Sequence, residues 1–216
     1  FLCKEIISSF CLFVISRIAG EGADRQAEGG DYFLTEEEHC RLEAVCRLYQ
    51  NVVIIVNAGG QIDLSFLDEF CNIKGLLILV QPGMEGGNAL ADILSGKVNP
   101  SGKLTDSWAY QYEDYPNSET FSHNNGNVER EYYEEGIYVG YRYLDTFGIP
   151  VRYEFGFGLS YTEFALSDCT VKKEQNSMLE ITAKVKNTGD RTGKEVVEVY
   201  ASLPDGRMEK EARRLI

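Results

Sequence analysis

The chain has 216 residues, and its 44% hydrophobic and 25% charged content is that of a soluble globular protein with a substantial core. Its formal net charge of −13 excludes a phosphate backbone or an anionic membrane surface as a natural partner, because both would repel it. We therefore expect no nucleic-acid partner and no membrane partner, and a neutral substrate such as a sugar fits the charge better.

The cysteines form no C-x-x-C pair and lie at no metal-ligand spacing from a histidine. Most lie in apolar runs, where a free cysteine behaves as a small hydrophobe. This pattern favours reduced, buried thiols in a cytoplasmic compartment, with no metal site and no cofactor. The six residues are Cys3, Cys11, Cys40, Cys46, Cys71 and Cys169.

The first predicted element is a buried strand over the apolar run F-C-L-F-V at residues 10–14. The surrounding stretch is too short to span a membrane and has no small-x-small cleavage site, so a strand explains it better than a targeting segment. The strand opens into a loop where Glu21 stands between Gly20 and Gly22. A carboxylate at the carboxyl end of a strand is where open α/β sheets place ligand chemistry, which makes Glu21 a candidate site residue. On the residues alone, a structural role in which Glu21 hydrogen-bonds its own loop is the simpler interpretation.

Strands and helices alternate after this loop. Thr35 and Glu38 form a capping-box pattern that predicts the start of a helix. Strands are predicted at residues 52–56 and 76–80, a short helix at 64–71, and a further helix over 88–94 that ends at Gly96. This alternation implies parallel crossovers, so the loops at 20–22, 58–60 and 84–87 should leave the same edge of the sheet.

The remaining chain changes character twice. Residues 97–161 hold ten of the thirteen tyrosines, which could stack on sugar rings but are better explained, for the most part, as packing an interdomain seam. From residue 178 to 186, and again from 195 to 200, apolar and polar residues alternate as in antiparallel strands. We therefore expect an α/β fold with an open, mostly parallel sheet and flanking helices (a truncated α/β sandwich) over residues 1–162. An incomplete all-β sandwich should follow over 163–216.

Six stretches of the sequence resemble glycoside hydrolase family 3, the β-glucosidase-like enzymes, and they occur in the family's order. They are R-I-A-G-E-G-A-D-R (17–25), P-G-M-E-G-G-N-A-L-A-D-I-L-S-G (82–96), V-N-P-S-G-K-L (98–104), E-G-I-Y-V-G-Y-R-Y-L-D-T (135–146), F-G-F-G-L-S-Y-T-E-F (155–164) and N-T-G-D-R-T-G-K-E-V-V (187–197). The resemblance implies that the first five lie in the family's C-terminal α/β sandwich domain, N-terminally incomplete here. The last would lie in an incomplete fibronectin type III-like domain.

The family's chemistry implies a role for one residue in particular. It is retaining hydrolysis of a terminal sugar, which needs one carboxylate as nucleophile and another as acid and then base. The resemblance assigns the acid/base role to Glu21, and with it the catalytic interpretation becomes the better one. The family's nucleophile is an Asp on a (β/α)8 barrel domain that is missing here, so the implied partners are that barrel and a small oligosaccharide or glycoside. The chain alone is expected to be inactive.

Other polar residues of these motifs are assigned structural roles. Glu85 precedes a Gly-Gly helix start, where a carboxylate is favoured by the helix dipole. Arg17, Asp24 and Arg25 are expected to hold the Glu21 loop through ion pairs rather than to bind substrate. Asp106 lies in a T-D-S-W stretch that only superficially resembles the S-D-W around the family's nucleophile, and it is not assigned that role.

Two other classes of protein fit parts of the sequence. A non-catalytic carbohydrate-binding or assembly module, with the tyrosine-rich segment as its contact surface, is the main alternative. A nucleotide-binding domain would explain the glycine-rich loops, but the chain has neither G-x-G-x-x-G after a strand nor G-x-x-x-x-G-K-[ST].

Overall fold

The computed structural model describes residues 9–18, 24–121, 127, 129–130, 132–174, 178–204 and 206–216. Within these ranges an α/β unit is followed by antiparallel β structure, which confirms the predicted fold class. The elements are β1 (Phe10–Ser16), α1 (Glu36–Leu48), β2 (Asn51–Asn57), β3 (Ile73–Ile78), α2 (Gly86–Leu94), β4 (Trp108–Ala109), α3 (Tyr141–Phe147), β5 (Val151–Tyr153), β6 (Phe164–Lys173), β7 (Leu179–Asn187), β8 (Tyr200–Ala201) and β9 (Arg214–Leu215), with 3-10 turns at Ser65–Asp68 and Tyr112–Asp114.

The first three strands form a parallel sheet in the order β1-β2-β3. Each residue of β1 pairs with one of β2, from Phe10 opposite Asn51 to Ser16 opposite Asn57. The parallel order confirms the predicted crossovers. α1 lies between β1 and β2 as predicted, but the helix predicted at 64–71 is only the 3-10 turn Ser65–Asp68.

Helix α1 begins where the sequence predicts it. The Thr35 hydroxyl accepts the Glu38 N–H at 3.1 Å, and Glu38 Oε2 accepts the Thr35 N–H at 2.9 Å, which completes the capping box. Leu42 on the inner face of the helix is wholly buried against the sheet.

The core lies between α1 and one face of the sheet. The 3-10 turn after β2 closes it with Phe66, and Trp108 of β4 joins it from further along the chain. On β1 only this face is covered. Phe10, Leu12 and Val14 point the other way and are about half exposed, so the strand predicted to be buried is buried on one side only. The buried core residues are Ile15, Leu42, Val52, Ile54, Val56, Ala58, Ile62, Leu64, Phe66 and Trp108.

The segment after α2 connects the α/β unit to the C-terminal part of the chain. Asn99 Nδ2 donates to the Thr192 carbonyl at 3.0 Å, and Lys103 forms an ion pair with Glu195 at 2.7 Å. These contacts cross the predicted boundary after residue 162, and the division into 1–162 and 163–216 stays a prediction.

The C-terminal part forms two separate two-stranded antiparallel sheets within the described ranges, β6-β7 and β8-β9. β7 confirms the antiparallel strand predicted from residue 178 to 186. The second predicted strand, at 195–200, is wrong except for its last residue, since only Tyr200 enters a strand.

The expectation of buried cysteines is only partly met. Cys40, Cys71 and Cys169 are exposed, whereas Cys11 and Cys46 are partly covered, and none of these five forms a disulfide. Burial raises the pKa of the Cys11 and Cys46 thiols. Cys3 lies outside the described residues.

Candidate functional site

The carboxyl ends of the three parallel strands share one edge of the sheet. Ser16 lies opposite Asn57, and the Arg17 N–H extends the ladder by donating to the Asn57 carbonyl at 3.0 Å. On the other side of β2, the Leu79 N–H donates to the Val56 carbonyl at 2.8 Å. The loops that follow β1, β2 and β3 therefore leave the same edge, as predicted, and this is where open α/β sheets bind ligands.

The candidate acid/base, Glu21, lies outside the described residues together with the rest of 19–23. The structure describes the segments on either side, where Arg17 precedes the loop and Arg25 follows it. The described contacts therefore hold the chain just before and just after the Glu21 loop.

Arg17 is held by a dense set of hydrogen bonds. Its Nη1 and Nη2 donate to the two carboxylate oxygens of Glu38 at 2.7 and 2.9 Å, the same Glu38 that completes the α1 capping box. Its remaining bonds go to the carbonyls of Ser16 (2.9 Å), Asp31 (2.7 Å) and Phe33 (3.2 Å). With a side chain only 4% exposed and five donated bonds, Arg17 is a structural residue rather than a substrate ligand. Its predicted ion pair is confirmed.

Arg25 is held on the other side of the loop. Its Nε donates to Asp31 Oδ1 at 2.5 Å, its Nη2 to the Asp31 carbonyl at 2.8 Å, and its Nη1 to the Gln61 carbonyl at 2.6 Å. The ion pair predicted for Arg25 is therefore confirmed, with Asp31 as a partner that the sequence did not suggest. We call Arg17, Arg25, Asp31 and Glu38 the Asp31 cluster.

Both carboxylates of the Asp31 cluster are stabilised in their charged form. Burial alone would raise the pKa of Asp31, but the Gln26 N–H and the Arg25 guanidinium lower it below its usual value. For Glu38, burial is likewise outweighed by the Arg17 guanidinium and the Thr35 N–H, and the pKa is lowered. The cluster is thus two arginines compensated by two carboxylates.

The Gln61 side chain extends the network to a third segment. Its Nε2 donates to the Ser107 carbonyl at 3.1 Å, and its Oε1 accepts a hydrogen bond from the Tyr115 hydroxyl, which itself accepts the Ala109 N–H at 3.0 Å. Burial raises the pKa of Tyr115, and it also raises that of the neighbouring Tyr32. The Gln61 side chain therefore joins the loop after β2 to the segment around Trp108 through hydrogen bonds between neutral groups, while the Arg25 guanidinium joins the segment after β1 to the Gln61 carbonyl.

The structure also describes the other polar residues singled out from the sequence. Glu85 lies at the N-cap of α2, exposed, and its Oε2 accepts from Asn88 Nδ2 at 2.6 Å, which fits the structural role assigned to it. Asp106 is exposed in the bend before β4. Asp24 is exposed as well, beside Arg25.

Most tyrosines of residues 97–161 with recorded ring contacts pack against other aromatic rings. Tyr141 contacts the rings of Phe155 and Tyr200 at 5.2 and 5.7 Å, and its hydroxyl accepts the Leu215 N–H at 2.9 Å. Tyr138 packs on Phe147 at 5.1 Å. Since Tyr200 and Leu215 belong to the C-terminal part, this packing agrees with the seam predicted from composition.

Two open grooves are visible in the described part of the chain. One, of about 460 Å³, lies beside α1 and is lined by His39, Cys40, Asp63 and Glu69 among others. The other, of about 620 Å³, lies between α3 and the C-terminal segment near Asp145 and Arg213. Across the described ranges no group of three or more His, Cys, Asp or Glu side chains could hold a metal ion, and no helix is long and apolar enough to cross a membrane.

Residues 7–141 match the family model of the glycosyl hydrolase family 3 C-terminal domain. A β-glucosidase of Ruminococcus albus is 42% identical over 209 residues, which is 96% of this chain and 21% of that protein. An exo-α-(1→6)-L-arabinopyranosidase of Bifidobacterium longum is 37% identical over 85% of this chain and 23% of its own length.

A solved structure is similar to this chain as well. β-Glucosidase 3B of Thermotoga neapolitana, determined in complex with glucose, superposes with a TM-score of 0.91 at 38% identity, covering all of this chain and 31% of that one. The present chain thus spans less than a third of the length of these relatives.

Proposed function

We propose a function on the premise that this chain belongs to glycosyl hydrolase family 3, as a C-terminal domain. It supplies the general acid/base of a retaining glycoside hydrolase, and that residue is Glu21. The observation that carries the proposal is the position of Glu21 in the chain. It follows by five residues the end of β1 at Ser16, on the edge where the loops of all three parallel strands emerge. It also lies between two arginines that are both fixed by ion pairs.

The reaction requires the acid/base residue both to donate a proton and to accept one. Glu21 must donate a proton to the departing glycosidic oxygen and then accept one from the attacking water, so its pKa must lie near the working pH. An uncompensated arginine beside it would keep it ionised. In the Asp31 cluster, however, Arg17 is paired with Glu38 and Arg25 with Asp31, so neither guanidinium brings an unbalanced positive charge to the loop.

The rest of the active enzyme would come from outside this chain. A second carboxylate, the nucleophile, must lie about 5–5.5 Å from the first in a retaining enzyme. We assign it to a (β/α)8 barrel domain of the parent protein, and this chain alone should be inactive. A terminal β-glucoside is the first substrate to test because several relatives are β-glucosidases, and an arabinopyranoside is the second.

The test is the Glu21→Ala variant of the full-length parent enzyme, assayed on two kinds of glycoside. A poor leaving group needs protonation, so its kcat/KM should fall by about 10²–10⁴-fold. An activated aryl glycoside leaves without a proton, so its kcat/KM should change little. Glu85→Ala, at the same sheet edge, is the matched control and should change neither value. Equal losses on both substrates, or no loss, would contradict the proposal.

Two further measurements complete this test. Azide attacks a glycosyl–enzyme without general-base help, so it should restore turnover of the activated glycoside by Glu21→Ala. Calorimetric titration of this chain alone with glucosides should show little binding. Appreciable affinity without the barrel would favour the non-catalytic carbohydrate-binding module instead.

A further inference from the structure

We propose that Asp31 is a positioning residue for Glu21, an inference that rests on the proposed function. Asp31 lies ten residues beyond Glu21 and outside the motif of residues 17–25 that carries the family resemblance. It is nevertheless the point at which both segments bounding the Glu21 loop are held.

Three oxygens of Asp31 carry this connection. Oδ1 accepts from Arg25 Nε at 2.5 Å, and Oδ2 accepts the Gln26 N–H at 2.6 Å. The backbone carbonyl accepts from Arg17 Nε at 2.7 Å and from Arg25 Nη2 at 2.8 Å. One residue therefore fixes the entry and the exit of the seven-residue stretch 18–24 relative to each other.

The partners of Asp31 are themselves fixed to the scaffold. Arg17 is tied to the first turn of α1 through Glu38, and Arg25 is tied to the loop after β2 through the Gln61 carbonyl. Ion pairs of this geometry, with side chains about a quarter exposed or less for Arg17, Arg25 and Asp31, are more rigid than pairs in open solvent.

The sequence of the Glu21 loop explains why these ion pairs would matter for the position of Glu21. Glu21 is flanked by Gly20 and Gly22, and glycine leaves the backbone free to adopt many conformations. A general acid acts only within hydrogen-bond reach of the glycosidic oxygen, and a displacement of about 1 Å can cost about 10²-fold in rate. The inference is that contacts outside the Gly-Glu-Gly tripeptide, those of Asp31, help to set the position of the carboxylate.

The experiment compares two ion pairs of the full-length enzyme. Asp31→Ala removes the carboxylate but keeps the carbonyl. Asp145→Ala removes an Asp–Arg pair of nearly the same length, 2.6 Å to Arg213, with an aspartate that is also 25% exposed, but in α3. We expect Asp31→Ala to lower kcat/KM for the poor leaving group by about 10²-fold, and for the activated glycoside by less than about 3-fold. Asp145→Ala should leave both within about 3-fold.

Measured beside Glu21→Ala, the outcomes separate the two proposals. If Glu21→Ala discriminates between leaving groups but Asp31→Ala lowers both equally or neither, Asp31 is merely structural and this inference is overturned while the proposed function stands. If Glu21→Ala itself does not discriminate, the proposed function fails first.

A second variant covers the case in which Asp31→Ala does not fold. Asp31→Asn keeps the shape and one acceptor oxygen but places an amide N–H₂ against either the Gln26 N–H or Arg25 Nε. It should show the same leaving-group selectivity with a smaller loss, and azide should restore part of its turnover of the activated glycoside. A uniform loss that azide does not relieve would overturn the inference.

Discussion

The parallel sheet and the β6-β7 hairpin use similar apolar residues but bury them to very different extents. In β2, Val52, Ile54 and Val56 are wholly buried beneath α1, whereas Ile181 and Val185 of β7 remain exposed among the described residues. The difference lies in the second layer: a helix packs on the sheet, whereas no helix packs on the hairpin in the part of the chain that the structure describes. Burial of a strand therefore depends on what packs on its face as well as on its own alternation.

This contrast locates the stability of the chain in its first half. An isolated two-stranded hairpin is marginally stable in water. The interactions recorded across β6 and β7 are of the exposed kind, such as the Thr170–Thr182 hydroxyl pair at 2.6 Å and the Lys184–Asp168 ion pair at 3.8 Å. A substitution in the sheet region should therefore lower the free energy of unfolding more than a matched substitution in the hairpin.

The largest difference is expected for one isoleucine in each region. Ile54→Ala leaves a cavity in the core and should lower the free energy of unfolding by about 4 kcal/mol. Ile181→Ala, at a residue that is 38% exposed, should change it by less than about 0.5 kcal/mol. Urea denaturation can be followed by the fluorescence of Trp108, the single tryptophan, which lies in the core. Similar losses for both variants would contradict the proposed contrast.

The next difference concerns two ion pairs. Glu38→Gln leaves the Arg17 guanidinium, only 4% exposed, without its counter-charge and should cost about 3 kcal/mol. Asp168→Asn removes the exposed partner of Lys184 and should stay within about 0.5 kcal/mol. Thermal and urea unfolding of the two variants would compare the two losses of stability. Equal losses would contradict the prediction that the Arg17–Glu38 pair contributes more.

Lowering the pH should reduce the free energy of unfolding through the carboxylates of Asp31 and Glu38. The pKa values of Asp31 and Glu38 are lower in the folded protein, so the unfolded chain binds their protons more tightly. Their contribution is present above the ordinary carboxyl range, near pH 4, and is lost as the pH falls through it towards the lowered values. Urea midpoints between pH 7 and pH 3 should fall less for Glu38→Gln than for the unchanged chain. A parallel decline in both would show that other groups dominate.

The smallest difference is expected for two threonines. Thr35→Ala removes the N-cap of α1 and should cost about 1 kcal/mol. Thr182→Ala removes the cross-strand partner of Thr170 and should cost about 0.2–0.5 kcal/mol at most. Amide hydrogen exchange would separate the effects, since the first variant should speed exchange in α1 and the second only within the hairpin.

Local patterns in the sequence predicted the helix ends and the sheet topology well. The Thr35–Glu38 spacing predicts the first turn of α1, and Gly96, with a φ of 74°, ends α2 where expected. β3 runs from Ile73 to Ile78 rather than over the predicted 76–80. Its end falls short of Val80 because Val80 leaves the extended conformation, with a φ of 53°. α3 was not predicted, since its seven residues are too few to show a helical period.

Long-range contacts could not be predicted in the same way. The ion pairs of Arg17 and Arg25 were expected from the motif, but nothing local marks Asp31 or Glu38 as their partners. Glu38 was interpreted only as a capping residue, yet it also binds an arginine 21 positions earlier. Gln61 carries no recognisable motif, and its role depends on the loop after β2 meeting the segment around Tyr115.

Gly60 shows how a change in one loop could alter another. A methyl group on its Cα would lie 3.1 Å from Arg25 Nη1, closer than ordinary packing allows. A single-nucleotide change from a glycine codon to an alanine codon would then push on the arginine that follows the Glu21 loop. On the roles proposed for Glu21 and Asp31, leaving-group preference would then diverge between homologues without a change in any residue that contacts the sugar.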